Sequence, residues 1–155
     1  VIANVIVFLV QTLFQGGMSG RIGLLGEWLS FIPQRAIFGL EIWRFGTYMF
    51  LHSGLWHLLF NMFALWMFGS ELERAWGSKE FLKFYLVTGV GAGLFSVALE
   101  PGSLIPTIGA SGSVYGILMA YGMMFPERYI YLYFILPVKV KYFEAALGLL
   151  AFIST

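Results

Sequence analysis

Runs of apolar residues dominate the chain, and polar positions collect in short clusters between them. Apolar segments cover residues 48–68, 81–99 and 111–125, and two further runs occupy residues 1–14 and 142–155. Each is continuous on all sides rather than alternating with a period of two, which predicts helices bathed in hydrocarbon instead of half-buried strands. The two outer runs fall short of the ~20 residues needed to cross a hydrocarbon core of ~30 Å, so the chain is expected to be an excerpt of a longer protein. The first run lacks the basic flank of a signal peptide. The pattern therefore predicts a single all-α domain over residues 1–155, a polytopic transmembrane bundle in which five segments are visible.

Composition sharpens this picture. Hydrophobic residues make up 59% of the chain, aromatics 19% and charged residues only 11%, far from the balance of a soluble domain of this size. A net charge of +1 gives no basic footprint for nucleic acid. There is no cysteine, and all eight acids are glutamate, so thiolate chemistry, cysteine-based metal sites and an aspartate-oriented triad are excluded. Arg74, Lys79 and Lys83 follow the second segment, while Arg128, Lys139 and Lys141 follow the fourth; both groups are expected on the cytoplasmic side. Arg21, Arg35 and Arg44 lie in the long stretch of residues 16–47, whose mixture of aromatic and charged residues fits either the membrane interface or an exposed loop. Residues 129–137 read as a connection near the cytoplasmic surface.

Polar groups inside such segments are costly and mark function by default. Ser111 lies in Gly109-Ala110-Ser111-Gly112, where glycine permits a sharp bend and the close approach of a substrate carbonyl. The same glycines support a plainer reading, because Gly112 and Gly116 have the spacing that lets membrane helices pack closely. His57 and Asn61 stand one turn apart on one helical face, near the same membrane surface as Ser111. Taken singly, His57 reads as an interfacial histidine and Asn61 as an interhelical hydrogen-bonding group. With Ser111 they make a hydrolytic site, in which His57 serves either as a base oriented by Asn61 or as a donor to an oxyanion. Tyr115 shares a face with Ser111 and suits either aromatic packing or support of an imidazole.

Trp43-Arg44, His52, the run from His57 to Asn61, Glu73-Arg74, and Gly109 to Gly112 with Tyr115 together resemble the rhomboid intramembrane serine proteases, in spacing as well as content. The resemblance covers nearly the whole chain. It implies five of six core helices, with Ser111 as the nucleophile of a Ser–His dyad and an oxyanion hole formed by its backbone N–H, His57 and Asn61. It further implies that Tyr115 stacks on the base histidine, that His52 is structural, and that Trp43-Arg44 belongs to a first loop embedded in the outer leaflet. Family members carry the base on a sixth helix that this sequence does not contain, so the 155-residue piece is expected to be inactive by itself. Lys139 and Lys141 lie roughly 20 Å from Ser111 along the helix and do not replace it.

The implied reaction is hydrolysis of peptide bonds in or beside transmembrane helices of protein substrates, in the lipid bilayer, with no metal and no cofactor. Substrate enters beside the fifth helix in this family. The expected location is a bacterial plasma membrane. Two other classes fit parts of the pattern: a rhomboid-like pseudoprotease that binds or escorts membrane clients, and a transporter using the polar residues as a pathway. The chain shows no repeat or pair of broken helices to favour the transporter.

Overall fold

The computed structural model describes residues 1–14, 23–132, 136–143 and 145–146. Arg21 and most of the expected fifth segment lie outside the described residues. Helix α1 (Ile2–Phe14) is followed by three short helices, α2 (Leu24–Leu29), α3 (Pro33–Phe38) and α4 (Arg44–Thr47), and a single 3-10 turn over Tyr48–Phe50. Helix α5 (Leu55–Ala64) continues through a π-helical stretch, Leu65–Gly69, into α6 (Ser70–Trp76). Helices α7 (Ser78–Leu99) and α8 (Ser111–Met124) follow, and a two-stranded antiparallel ribbon of β1 (Tyr129–Leu132) and β2 (Leu136–Lys139) comes after them.

The bundle keeps an apolar core but also exposes many large apolar side chains and buries several polar ones. Asn4 and Gln11 are the buried residues of α1, while Ile6, Leu9, Leu13 and Phe14 are exposed. Helix α7 buries Tyr85, Gly89 and Gly93 and exposes Leu82, Val87, Leu94 and Phe95. This is the arrangement lipid favours, since acyl chains solvate leucine well and helices gain instead from close backbone approach and internal hydrogen bonds. Among the described residues, α7 is the one helix both long enough and apolar enough to cross a membrane unaided. The helical backbone from Leu55 to Trp76 has similar length, but its hydrogen-bond pattern changes at the π-helical stretch and its end carries Glu71, Glu73 and Arg74.

Small residues set the central helix contact. A Cβ on Gly112 would stand 2.6 Å from Ala92 Cβ, and one on Gly116 would stand 2.6 Å from Thr88 Cγ2. Helices α7 and α8 therefore run antiparallel at a separation that only glycine permits, and the packing reading of Gly112 and Gly116 holds. Ser113 Oγ donates to the Tyr85 carbonyl at 2.8 Å and Tyr48 Oη to the Gly89 carbonyl at 2.8 Å, so these two buried hydroxyls are satisfied. Gly77, with φ of +84°, ends α6 and lets the chain reverse into α7.

The apolar run of residues 48–68 divides differently from the expected span. Residues 48–54 form the 3-10 turn and an extended connection, and the helix starts only at Leu55, running past residue 68. Tyr48, Met49 and Leu51 are apolar because they are buried in protein. Hydropathy does not separate that environment from lipid. Residues 129–132 and 136–137 of the expected connection belong to the ribbon, in which Pro137 pairs with Tyr131, a position tolerated because, among the described residues, each strand has a free edge.

Both groups of basic residues lie at one end of the bundle, where Arg128 from the turn after α8 forms an ion pair with Glu71 of α6. The stretch ahead of α5 is organised at the other end around Arg44. This side chain is 1% exposed; its guanidinium donates to the Ser30 carbonyl at 2.5 Å and the Glu27 carbonyl at 2.8 Å and pairs with Glu41. Trp28, Phe38, Leu40 and Ile42 are exposed around that frame, an apolar rim suited to the membrane interface.

Candidate active site

Ser111 is the first residue of α8, and the chain leading to it is held from two sides. Phe31 and Thr107 exchange backbone hydrogen bonds of 2.9 and 2.8 Å, Gln34 N–H donates to the Ser103 carbonyl at 3.1 Å, and Gly109 N–H donates to the Tyr48 carbonyl at 3.0 Å. Gly109 has φ of +122°, a conformation that side chains disfavour, and this bend turns the chain into the helix.

The helix register places Ser111 below the end of α7. Gly112 faces Ala92, and α7 continues seven residues beyond Ala92 to Leu99, an axial distance of about 10 Å at 1.5 Å per residue. The serine thus sits about 10 Å short of the end of α7. Residues 100–110 form the roof.

His57 projects from the first turn of α5 toward this bend. A Cβ built on Gly109 would lie 2.7 Å from both His57 Cε1 and Nε2, and 3.8 Å from Ser111 Oγ. The imidazole edge bearing Nε2 and the serine hydroxyl therefore converge on the space that glycine leaves open. On its other side, His57 Nδ1 meets the Ser53 N–H at 3.4 Å and Ser53 Oγ at 3.0 Å. The ring of His52, fully buried, stands edge-on to His57 with centroids 5.1 Å apart.

Asn61 is buried one turn further along, and its Nδ2 donates to the His57 carbonyl at 2.8 Å. A carboxamide nitrogen carries two hydrogens, so one remains for another acceptor. Tyr115 lies one turn beyond Ser111 and is 48% exposed. Lys139 and Lys141 both pair with Glu127 at the opposite end of the bundle, in agreement with their dismissal as partners of Ser111. Gln11 and Ser53 did not figure in the sequence reading, although a glutamine within a lipid-facing helix is a visible signal.

The structure is a helix bundle with an apolar outer surface, in which a serine at the start of α8 and a histidine of α5 share one glycine bend. Residues 39–155 match the family model described as Rhomboid domain. The chain belongs to the rhomboid family and is an integral membrane protein. It is 32% identical over 133 residues to rhomboid protease AarA of Providencia stuartii, covering 77% of this chain and 47% of that protein. It is 42% identical over 80 residues to rhomboid protease GluP of Bacillus subtilis, 52% of this chain and 15% of the relative. Rhomboid protein 1, mitochondrial, of Saccharomyces cerevisiae is 37% identical over 93 residues, 57% of this chain and 27% of the relative. The chain thus spans less than half the length of each of these relatives.

Proposed function

We propose that the full-length protein is an intramembrane serine endopeptidase cutting peptide bonds in or beside transmembrane helices of substrate proteins, in a bacterial plasma membrane. The observation that carries this reading is the convergence of His57 Nε2 and Ser111 Oγ on the open face of Gly109. In the proposed reaction Ser111 Oγ attacks the scissile carbonyl carbon, and its proton passes to the base histidine that the family carries on a sixth helix. The carbonyl oxygen, now negative, is met by the Ser111 backbone N–H, His57 Nε2–H and the second Asn61 N–H; donors fixed in advance are the largest electrostatic contribution to such a step. The base returns the proton to the departing amine as the C–N bond breaks, and water then hydrolyses the acyl-serine. Tyr115 flanks that base.

Depth accounts for the choice of substrate. A serine about 10 Å below the surface meets peptide bonds of a membrane-embedded segment, yet a helical amide is shielded by its own hydrogen bond. The substrate must unwind locally, which favours small and helix-breaking residues around the cut. Water enters past residues 100–110.

The test is covalent. A fluorophosphonate should modify the full-length protein at Ser111, located by peptide mass spectrometry, and His57→Ala should slow the modification. Labelling elsewhere, or none, would remove the support for a serine nucleophile and favour a client-binding protein on the same scaffold.

A further inference from the structure

We infer that Gln11 and Ser53 are positioning residues that hold the His57 ring with its proton on Nε2, the nitrogen beside Gly109 and Ser111. The inference rests on the reading of His57 as an oxyanion donor and adds how the chain enforces that state.

A neutral imidazole carries one proton, and the nitrogen that accepts a hydrogen bond is the one without it. The Ser53 backbone N–H lies 3.4 Å from His57 Nδ1 and can only donate. Nδ1 therefore presents its lone pair, and the Ser53 hydroxyl, 3.0 Å away, is free to donate to the same atom. The proton is left on Nε2, aimed at the space where a carbonyl oxygen attacked by Ser111 would gain charge. The other tautomer would direct a lone pair at that oxygen. It would also make His57 a proton acceptor for Ser111, so Ser53 separates the two roles that the sequence leaves open for this histidine.

The Ser53 N–H is held in place from a distance. Gln11, buried on α1, donates from Nε2 to the His52 carbonyl at 2.8 Å and accepts from the His52 N–H at 3.2 Å through Oε1. One carboxamide thus takes both backbone groups of the residue preceding Ser53, as a neighbouring strand would. That peptide lies ahead of the first helical turn, where no intrahelical partner is available. The His52 ring, edge-on to His57, occupies the space into which the imidazole would otherwise rotate.

The test combines side-chain nitrogen spectroscopy with kinetics on the full-length protein in lipid. Long-range proton–nitrogen correlation of histidine-labelled protein should show His57 protonated on Nε2 in the unmodified enzyme. Gln11→Met, similar in size but unable to pair with the peptide, should give a mixture of tautomers and lower kcat roughly tenfold at nearly unchanged KM, the signature of lost transition-state stabilisation. Ser53→Ala, which keeps the N–H, should retain the Nε2 proton with a smaller loss, and it covers the case in which Gln11→Met fails to fold. A proton on Nδ1 in the unmodified protein overturns the inference, as does a folded Gln11→Met with unaltered tautomer and kcat. Undiminished cleavage by Ser111→Ala and His57→Ala would instead overturn the protease reading, whatever the tautomer.

Discussion

The imidazole of His57 rests against the backbone of Gly109, so near that a methyl group at residue 109 would lie 2.7 Å from two of its ring atoms. The bend of +122° at the same residue is one that only glycine adopts readily. Gly109→Ala should therefore displace His57 and strain the turn together. Cleavage by the full-length protein is expected to fall at least about 100-fold, because misplacement near 1 Å is enough for such a loss. Thermal unfolding should register a smaller cost, about 1–3 kcal/mol.

The seam between α7 and α8 gives a contrast between glycines. Gly116→Val would press on Thr88, whereas nothing lies within 4 Å of a Cβ placed on Gly91 of α7. Denaturation in detergent should show Gly116→Val destabilised by about 1–3 kcal/mol. Gly91→Ala should be neutral or stabilising by up to about 1 kcal/mol. Equal effects at the two sites would argue against the helix register described.

Among the described residues, Arg44 is the one charged side chain whose burial is nearly complete, and it is tied to Glu41 and to two carbonyls of the α2 segment. Arg44→Ala should cost about 3–5 kcal/mol, since it leaves those acceptors unpaired. Arg44→Lys should recover only part of this, a compact ammonium lacking the rigid planar fork with which the guanidinium reaches all three partners. Unfolding midpoints of the two variants check the order. Lys83→Ala, on an exposed pair with Glu80, should be silent.

At the basic end, hydrogen bonds from Lys139 and then Lys141 hold the Glu127 carboxyl down to about 2, against an ordinary 4.5. A carboxylate whose pKa is depressed on folding lends stability above the unfolded value and loses it as pH falls through the folded one. Amide signals of β2 should therefore stay constant from neutral pH to about 4.5 and shift only as pH approaches 2. The carboxyl carbon shift of Glu127 should follow the same course. Glu127→Gln should remove the transition without affecting cleavage.

Much of this arrangement can be read in the residues themselves, and the parts that cannot have physical reasons. The runs at residues 81–99 and 111–125 correspond closely to α7 and α8 because lipid-facing helices are apolar on nearly every side. Arg128 and Glu71 meet at one end, as the grouping of basic residues implies. Residues 48–54 escape the pattern because burial in protein and immersion in lipid select the same side chains. The ribbon escapes it because four-residue strands are too short to show alternation against an aromatic background. Ser111, His57 and Asn61 are legible as polar side chains within apolar runs. Ser53 is hidden by its manner of acting, since its contact with His57 uses a backbone N–H that every residue but proline carries.

Cleavage of a model transmembrane substrate by the full-length protein in liposomes, compared with Ser111→Ala, addresses the central claim most directly. The account predicts that the unmodified protein releases a fragment cut within or beside the membrane segment, and that Ser111→Ala releases none. Cleavage that persists in Ser111→Ala, or its absence from the unmodified protein across several substrates with unwound, small-residue segments, would contradict it.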